Sequence, residues 1–294
     1  MAATEPPGLY PIQVCFVVDD VPSAVAECEE RFGWGPFDQF SAPVAEARYH
    51  GWSGSKLTDV ALGMAGAVQV ELIHVHEGRD TVGVYQEAYG PGFPHLGIHC
   101  RDRDHAIAAL ETMGGRLDDQ TEHEGIRIAF IDVPSGPGMF ELLQPTEAAA
   151  PPGRRERPNE RTGSAPPRVE IDRATIVDAQ FDEALRFHSN AFGWSDVVAE
   201  ERTLRFGGET ARLRRARARA GKLVLELIEP LPESRDPYTQ HALRGDHGLV
   251  HAGGSAPVGF AAAPGLLECE WLEDGERFTI HDWAGGPGTL ALRH

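Results

Sequence analysis

Long apolar runs are missing from this chain. No stretch of its 294 residues approaches the roughly 18–20 consecutive apolar residues of a membrane-spanning helix, so no membrane partner is expected. The opening MAATEPPGLY has neither a basic start nor an apolar core. A secretory signal is therefore not expected there, and the cytoplasm is the expected location. Cysteine is scarce: Cys15, Cys28, Cys100 and Cys269 form no CxxC pair and lie in strand-like or helix-like contexts. That pattern predicts reduced, buried thiols rather than a disulfide framework. Positive charge is also short, with 27 basic residues against 45 acidic ones and a net charge of −18. A polyanion would be repelled, so nucleic acid is not an expected partner. One local exception is ARLRRARARAGK, residues 211–222. Its alternating arginines read as an exposed edge strand guarded by charge. The other reading is a phosphate contact for an anionic substrate or cofactor.

What is present is ordinary globular composition, 41% hydrophobic and 24% charged, cut by one unusual segment. TEAAAPPGRRERPNERTGSAPPR (146–168) is rich in Pro, Gly, Ser and charge and has no hydrophobic period. It reads as a linker over 147–168 between domains at 8–146 and 169–294. The two halves begin alike, with QVCFVVDDVPSAVAECEERFGW from Gln13 and RATIVDAQFDEALRFHSNAFGW from Arg173. Superposing them aligns Val21, Ala24, Val25, Cys28 and Phe32 with Phe181, Ala184, Leu185, His188 and Phe192. That spacing is one face of an amphipathic helix following a short strand, and the glycine of each FGW supplies the stop. A third copy starts at His95 and carries the same stripe through Ala106, Ile107 and Leu110. A fourth starts at His247 and is broken by Pro264-Gly265. Segments such as TDVALGMA, VQVELIHV, IRIAFIDV, MFELLQP and KLVLELIEP read as strands. The expected fold class is therefore α+β: four βαβββ units paired into two domains with curved mixed sheets, each around a cleft.

Four polar residues fall at matched places in the first two units. Gln13 and His95 begin the first strands, whereas Glu71 and Glu141 lie in the middle of the last strands. Two-residue periodicity groups Gln13 with Cys15 and Val17, Glu71 with Gln69 and Ile73, and Glu141 with Met139 and Leu143. These neighbours are core-like, so the acids are expected to be buried. A single strand glutamate commonly faces solvent and a single histidine is commonly structural. Recurrence at equivalent positions is what points to a site. Buried carboxylates need a partner or a cation. Two of them with an imidazole and an amide suit Zn, Ni, Co, Mn or Fe rather than Ca.

These pieces, QVCFVVDD, VELIHV, HLGIHC and GMFELLQP, resemble the vicinal oxygen chelate superfamily of glyoxalase I, methylmalonyl-CoA epimerase, extradiol dioxygenases and bleomycin-resistance proteins. The resemblance is clearest over residues 10–145. It implies two glyoxalase-like domains, with one divalent metal ion held by Gln13, Glu71, His95 and Glu141. It further implies a metal-dependent isomerase, epimerase or lyase that moves a proton next to the carbonyl of a small carbonyl or thioester substrate. Glu141 and Glu71 are the candidate bases, and Asp59 falls near the place of an epimerase-type catalytic acid. The alternatives are an Fe(II) ring-cleavage oxygenase, although a two-His-one-carboxylate set is lacking, and a ligand-binding or drug-sequestering protein without metal. In the second half, Arg173 stands for Gln13 and Ala291 for Glu141, while Glu226 and His247 are read as retained. No metal is expected there. A homodimer is possible because such modules also pair between chains. Tyr85 and Tyr89, in a stretch read as a loop, are candidates for the substrate mouth.

Overall fold

The computed structural model describes residues 8–123, 125–146, 168–195, 197–206, 209–231, 238, 248–256, 267–273, 276–283 and 285–294. The first strand, β1 (Tyr10–Val17), alternates as its sequence dictates. Val14 and Phe16 enter the main core, while Cys15 and Val17 line the opposite face with Val60, Ile73 and Phe130. Helix α1 (Val21–Glu27) starts where Asp20 accepts the Ser23 amide at 2.9 Å, a side-chain cap for an otherwise orphaned N–H. Its stripe of Val21, Ala24 and Val25 is continued by Cys28 and Phe32 through a wider π-turn, Cys28–Phe32. Gly33 ends it at φ +70°, a left-handed conformation that a side chain would strain.

Three long strands follow: β2 (Asp38–Tyr49), β3 (Trp52–Ala65) and β4 (Val68–Glu77). A helix, α2 (Thr81–Tyr89), then links to the second unit. That unit is β5 (Leu96–His99), α3 (Arg103–Thr112), β6 (Arg116–His123), β7 (Ile126–Val133) and β8 (Gly136–Pro145). The eight strands form one sheet in the order β2-β3-β4-β1-β5-β8-β7-β6. Each unit closes its first strand parallel to its last, β1 on β4 and β5 on β8. Antiparallel pairing of β1 with β5 joins the two units at the centre.

The second half repeats this plan with β9 (Glu170–Val177), α4 (Phe181–Phe192), β10 (Glu200–Phe206), β11 (Glu209–Ala220) and β12 (Leu223–Pro230). It continues with β13 (Gly248–Ser255), β14 (Leu267–Glu273), β15 (Glu276–Trp283) and β16 (Gly286–Arg293). The order β10-β11-β12-β9-β13-β16-β15-β14 matches the first sheet strand for strand. The expected α+β fold of tandem βαβββ units is thus borne out. One difference separates the sheets: β10 pairs with β14 and closes the second into a barrel, whereas β2 and β6 leave the first open. Across that opening, Tyr49, His50 and Thr81 all hydrogen-bond to Asp118, at 3.0, 2.7 and 2.7 Å.

Two sequence readings change here. ARLRRARARAGK is no edge strand, because β11 lies between β10 and β12 in a closed sheet. Tyr85 and Tyr89 sit on helix α2, not a loop. Tyr85 packs on the Cys15–Val17 cluster, and Tyr89 is exposed beside it. The expectation of buried free thiols holds for Cys15, Cys28 and Cys100, and no described helix is long and apolar enough to cross a membrane. The Pro264-Gly265 break, His247 and nearly all of the linker lie outside the described residues.

The halves share one core. Trp283 of β15 packs edge-on against Phe16, Phe32 and Trp34. Trp34 donates its indole N–H to the Val169 carbonyl at 2.8 Å, and the Phe32 carbonyl accepts from Arg168 and Val169.

Candidate metal centre

Strand parity and register build the centre. In the parallel β1–β4 ladder, Gln13 lies beside Gln69 and Cys15 beside Glu71. In β5–β8, Gly97 lies beside Glu141, and Gly97 is also opposite Gln13 across the central antiparallel pair. His95 immediately precedes β5, and its carbonyl accepts the Cys15 amide at 3.2 Å. Strands from both units therefore deliver Gln13, Glu71, His95 and Glu141 to one face at the centre of the sheet. Gly97 leaves the space for this: a Cβ there would lie 2.0 Å from Gln13 Oε1.

His95 is almost fully buried, and its Nε2 lies 3.4 Å from a carboxylate oxygen of both Glu71 and Glu141. Phe130 packs edge-on against the ring at 5.2 Å. Burial alone would lower the imidazole pKa, but Glu141 and Glu71 outweigh it and lift His95 to about 9. Glu141 is pushed above the usual carboxylate range, first by burial and then by the charge of Glu71. Both shifts share one cause: two acids are enclosed with too little fixed positive charge, so the site holds on to protons. Gln13 donates to Gln69 at 3.1 Å while its Oε1 is buried without a partner, as are Glu141 Oε2 and His95 Nδ1 as far as aligned hydrogen bonds go.

This donor set fits a divalent cation. Its oxygens and imidazole nitrogen are borderline-hard ligands, and the unmet acceptors Gln13 Oε1 and Glu141 Oε2 belong to two of the four residues expected to ligate. Cys15 was not singled out by the sequence pattern. Its sulfur and one ligand atom each from Glu71 and His95 lie within 4.8 Å of one another. Its thiol is held well above its ordinary value, first by burial and then by Glu71 and Glu141. The parity that groups Gln13 with Cys15 was the available signal. The ladder that sets Cys15 beside Glu71 was not readable from the sequence.

Asp59 is not brought to this cluster. It pairs with His74 across β3–β4, on the face opposite Val60 and Ile73. There it accepts hydrogen bonds from Ser41 at 2.5 Å and interacts with His76 at 2.7 Å. His74 also points away from Glu71 and meets the Val18 carbonyl at 2.8 Å.

In the second half the equivalent positions follow from the same ladders. Val224 pairs with Arg173 and Glu226 with Thr175, matching Gln69 with Gln13 and Glu71 with Cys15. Gly253 pairs with both Arg173 and Ala291, matching Gly97. His251, opposite Thr175, therefore occupies the place of His95. This corrects the assignment of that place to His247, four residues earlier. The error arose because HLGIH and HGLVH look alike, while the β9–β13 ladder runs in step from Gly253 opposite Arg173 to His251 opposite Thr175. Glu226 is buried among arginines, with Arg217 Nε at 2.5 Å, Arg215 at 3.6 Å and the Thr175 hydroxyl at 3.0 Å. Burial would raise its pKa, but Arg217, Arg173 and Arg215 hold it down at about 2.

Residues 12–130 match the family described as Glyoxalase/Bleomycin resistance protein/Dioxygenase superfamily. No curated protein matches the chain by sequence. Among solved structures, a triple mutant of 4-hydroxymandelate synthase from Streptomyces coelicolor aligns with a TM-score of 0.66 at 16% identity, covering 98% of this chain and 92% of that one. A xylose isomerase-like TIM barrel/4-hydroxyphenylpyruvate dioxygenase fusion protein aligns at 0.52 with 15% identity, covering 98% of this chain and 49% of that one. A hypothetical protein from Staphylococcus aureus aligns at 0.51 with 10% identity, covering 97% and 98%. At these identities the likeness concerns the fold alone.

Proposed function

Because residues 12–130 match the glyoxalase/bleomycin-resistance/dioxygenase superfamily, we propose that the chain is a vicinal oxygen chelate protein whose first half is a metal-dependent isomerase, epimerase or lyase. The substrate is a small carbonyl or thioester compound, and the reaction is proton transfer at the carbon next to the carbonyl. The observation that carries this reading is His95 buried between Glu71 and Glu141, 3.4 Å from each, with the Gln13 carbonyl oxygen unmet beside them.

Gln13, Glu71, His95 and Glu141 would hold one divalent ion of the Zn, Ni, Co, Mn or Fe group. When bound, such an ion supplies Lewis-acid polarisation of a substrate oxygen. The chain's own residues supply the rest. Glu71 and Glu141 lie at the same 3.4 Å from His95 Nε2, and the base is one of these two carboxylates. It removes the proton from carbon and returns it to the neighbouring carbon or the opposite face, so no oxidant or reductant is consumed. Val17, Val60, Ile73 and Tyr85 pack in one apolar cluster with Cys15 and Phe130 beside the centre. Asp59, on the other face, takes no part.

The test has two readouts. Elemental analysis of the purified chain is expected to return about one equivalent of a first-row divalent metal. In D2O, a panel of hemithioacetals and branched acyl thioesters is expected to gain solvent deuterium at the carbon next to the carbonyl. Less than about a tenth of an equivalent of metal would favour a ligand-sequestering protein. Iron with oxygen uptake on a catechol panel would replace the isomerase reading with an oxygenase.

A further inference from the structure

The first half carries a sulfur where the second carries a hydroxyl. Cys15 pairs with Glu71 across the parallel β1–β4 ladder, and Thr175 pairs with Glu226 across β9–β12. In the second half this place reaches the acid directly, since the Thr175 hydroxyl donates to Glu226 at 3.0 Å. From the matching place in the first half we infer that Cys15 Sγ is itself a ligand of the divalent ion, a sulfur donor added to Gln13, Glu71, His95 and Glu141. The inference rests on the metal centre proposed above and goes beyond it by naming a further ligand and the metals which that ligand selects.

Backbone and side chain both put the sulfur there. The Cys15 amide donates to the His95 carbonyl at 3.2 Å, which ties the residue to the one that brings the imidazole. The sulfur and one ligand atom each from Glu71 and His95 lie within 4.8 Å of one another. Within that group, His95 Nε2 and the Glu71 carboxylate are 3.4 Å apart. That is about the edge of a tetrahedron built on metal bonds of roughly 2.0–2.3 Å, so a metal seated between these two donors has the sulfur as its neighbour. Cys15 is fully enclosed, as are Cys28 and Cys100, but those two pack in the main apolar core whereas Cys15 stands on the ligand face of β1.

The chemistry of the donor follows. A thiolate is softer than a carboxylate or amide oxygen, so it moves the preference of the centre toward zinc and cobalt and away from manganese. On binding, the thiol proton passes to solvent and a sulfur–metal bond takes its place. No electron is transferred and no co-reactant is consumed. Three anionic donors around a divalent ion leave one net negative charge, less than a four-thiolate zinc site carries. In the second half the hydroxyl of Thr175 offers no such donor, in keeping with the loss of the other ligands there.

The test strips the full chain with a chelator and reloads it with cobalt(II). The loaded protein is expected to hold about one equivalent and to show a near-ultraviolet sulfur-to-cobalt charge-transfer band. Cys15→Ser is expected to lose that band while still binding cobalt. Its zinc affinity is expected to fall at least about tenfold, against a change under about threefold for manganese. Cys15→Ala gives the same readouts if the serine variant does not fold. Cobalt bound by the wild type without the band overturns the inference and leaves the metal centre standing. A band that survives in the variants overturns it as well, as does an equal loss of zinc and manganese affinity. No cobalt bound at all overturns the metal centre itself, and the inference with it.

Discussion

The two halves of this protein solve one electrostatic problem in opposite ways. Each encloses acid on the strands where its two units meet. In the first, Glu71 and Glu141 share a single histidine, and the result is protons held above their ordinary range on His95 and Glu141. In the second, Glu226 is surrounded by three arginines and is kept ionised far into acid. The first half lacks fixed positive charge and is open between β2 and β6. The second half carries its own cations and is closed. A site that needs an exchangeable cation and a substrate leaves both charge and access unfilled, whereas a site that supplies its own counter-charge can shut.

Breaking the second half's solution should have the largest effect. Glu226→Ala removes the buried carboxylate that Arg173, Arg215 and Arg217 face, and chemical denaturation is expected to show a loss of about 3–5 kcal/mol with metal content unchanged. A loss under about 1 kcal/mol would mean the arginines are neutralised some other way. The same carboxylate predicts a pH dependence. Its pKa of about 2 lies below the ordinary 4.5, so its stabilisation is complete above the ordinary value and is lost as pH falls toward 2. The amount is roughly 3 kcal/mol. Urea midpoints of the wild type and Glu226→Gln should converge on acidification, and parallel curves would contradict the arrangement. Glu141→Ala tests the first half. It is expected to weaken metal binding at least about 100-fold, near 2.7 kcal/mol, as read by competition with a chromophoric chelator. Full retention of metal would show that the centre lies elsewhere. The smallest effect belongs to the seam. Trp34→Phe removes the indole donor to the Val169 carbonyl and should cost about 1 kcal/mol, with calorimetry still showing one transition.

Much of this contrast could be read from the chain. The parity of Gln13 with Cys15, and the swap of Glu141 for Ala291, are properties of a two-residue period and a repeat. What was hidden depended on how strands from distant segments pair. Cys15 becomes a neighbour of Glu71 only once β1 and β4 align in parallel. Asp59 faces away because its partner is His74. His251 takes the place of His95 because the β9–β13 ladder sets it opposite Thr175, a pairing that no local pattern marks. The arginine strand looked like an edge because its pairing with both β10 and β12 is not marked in its own alternation.

The aromatic seam has a practical consequence for anyone wishing to dissect or rebuild this molecule. Trp283 is wedged against Phe16, Phe32 and Trp34, so cutting the chain between its halves would uncover a sticky face on each fragment. A stand-alone version of the metal-binding half would need those aromatic positions recoloured with polar side chains, and Trp34 given a new acceptor for its indole N–H. Without that, the fragments are expected to find each other again when mixed, which makes split-protein complementation a natural use of this scaffold.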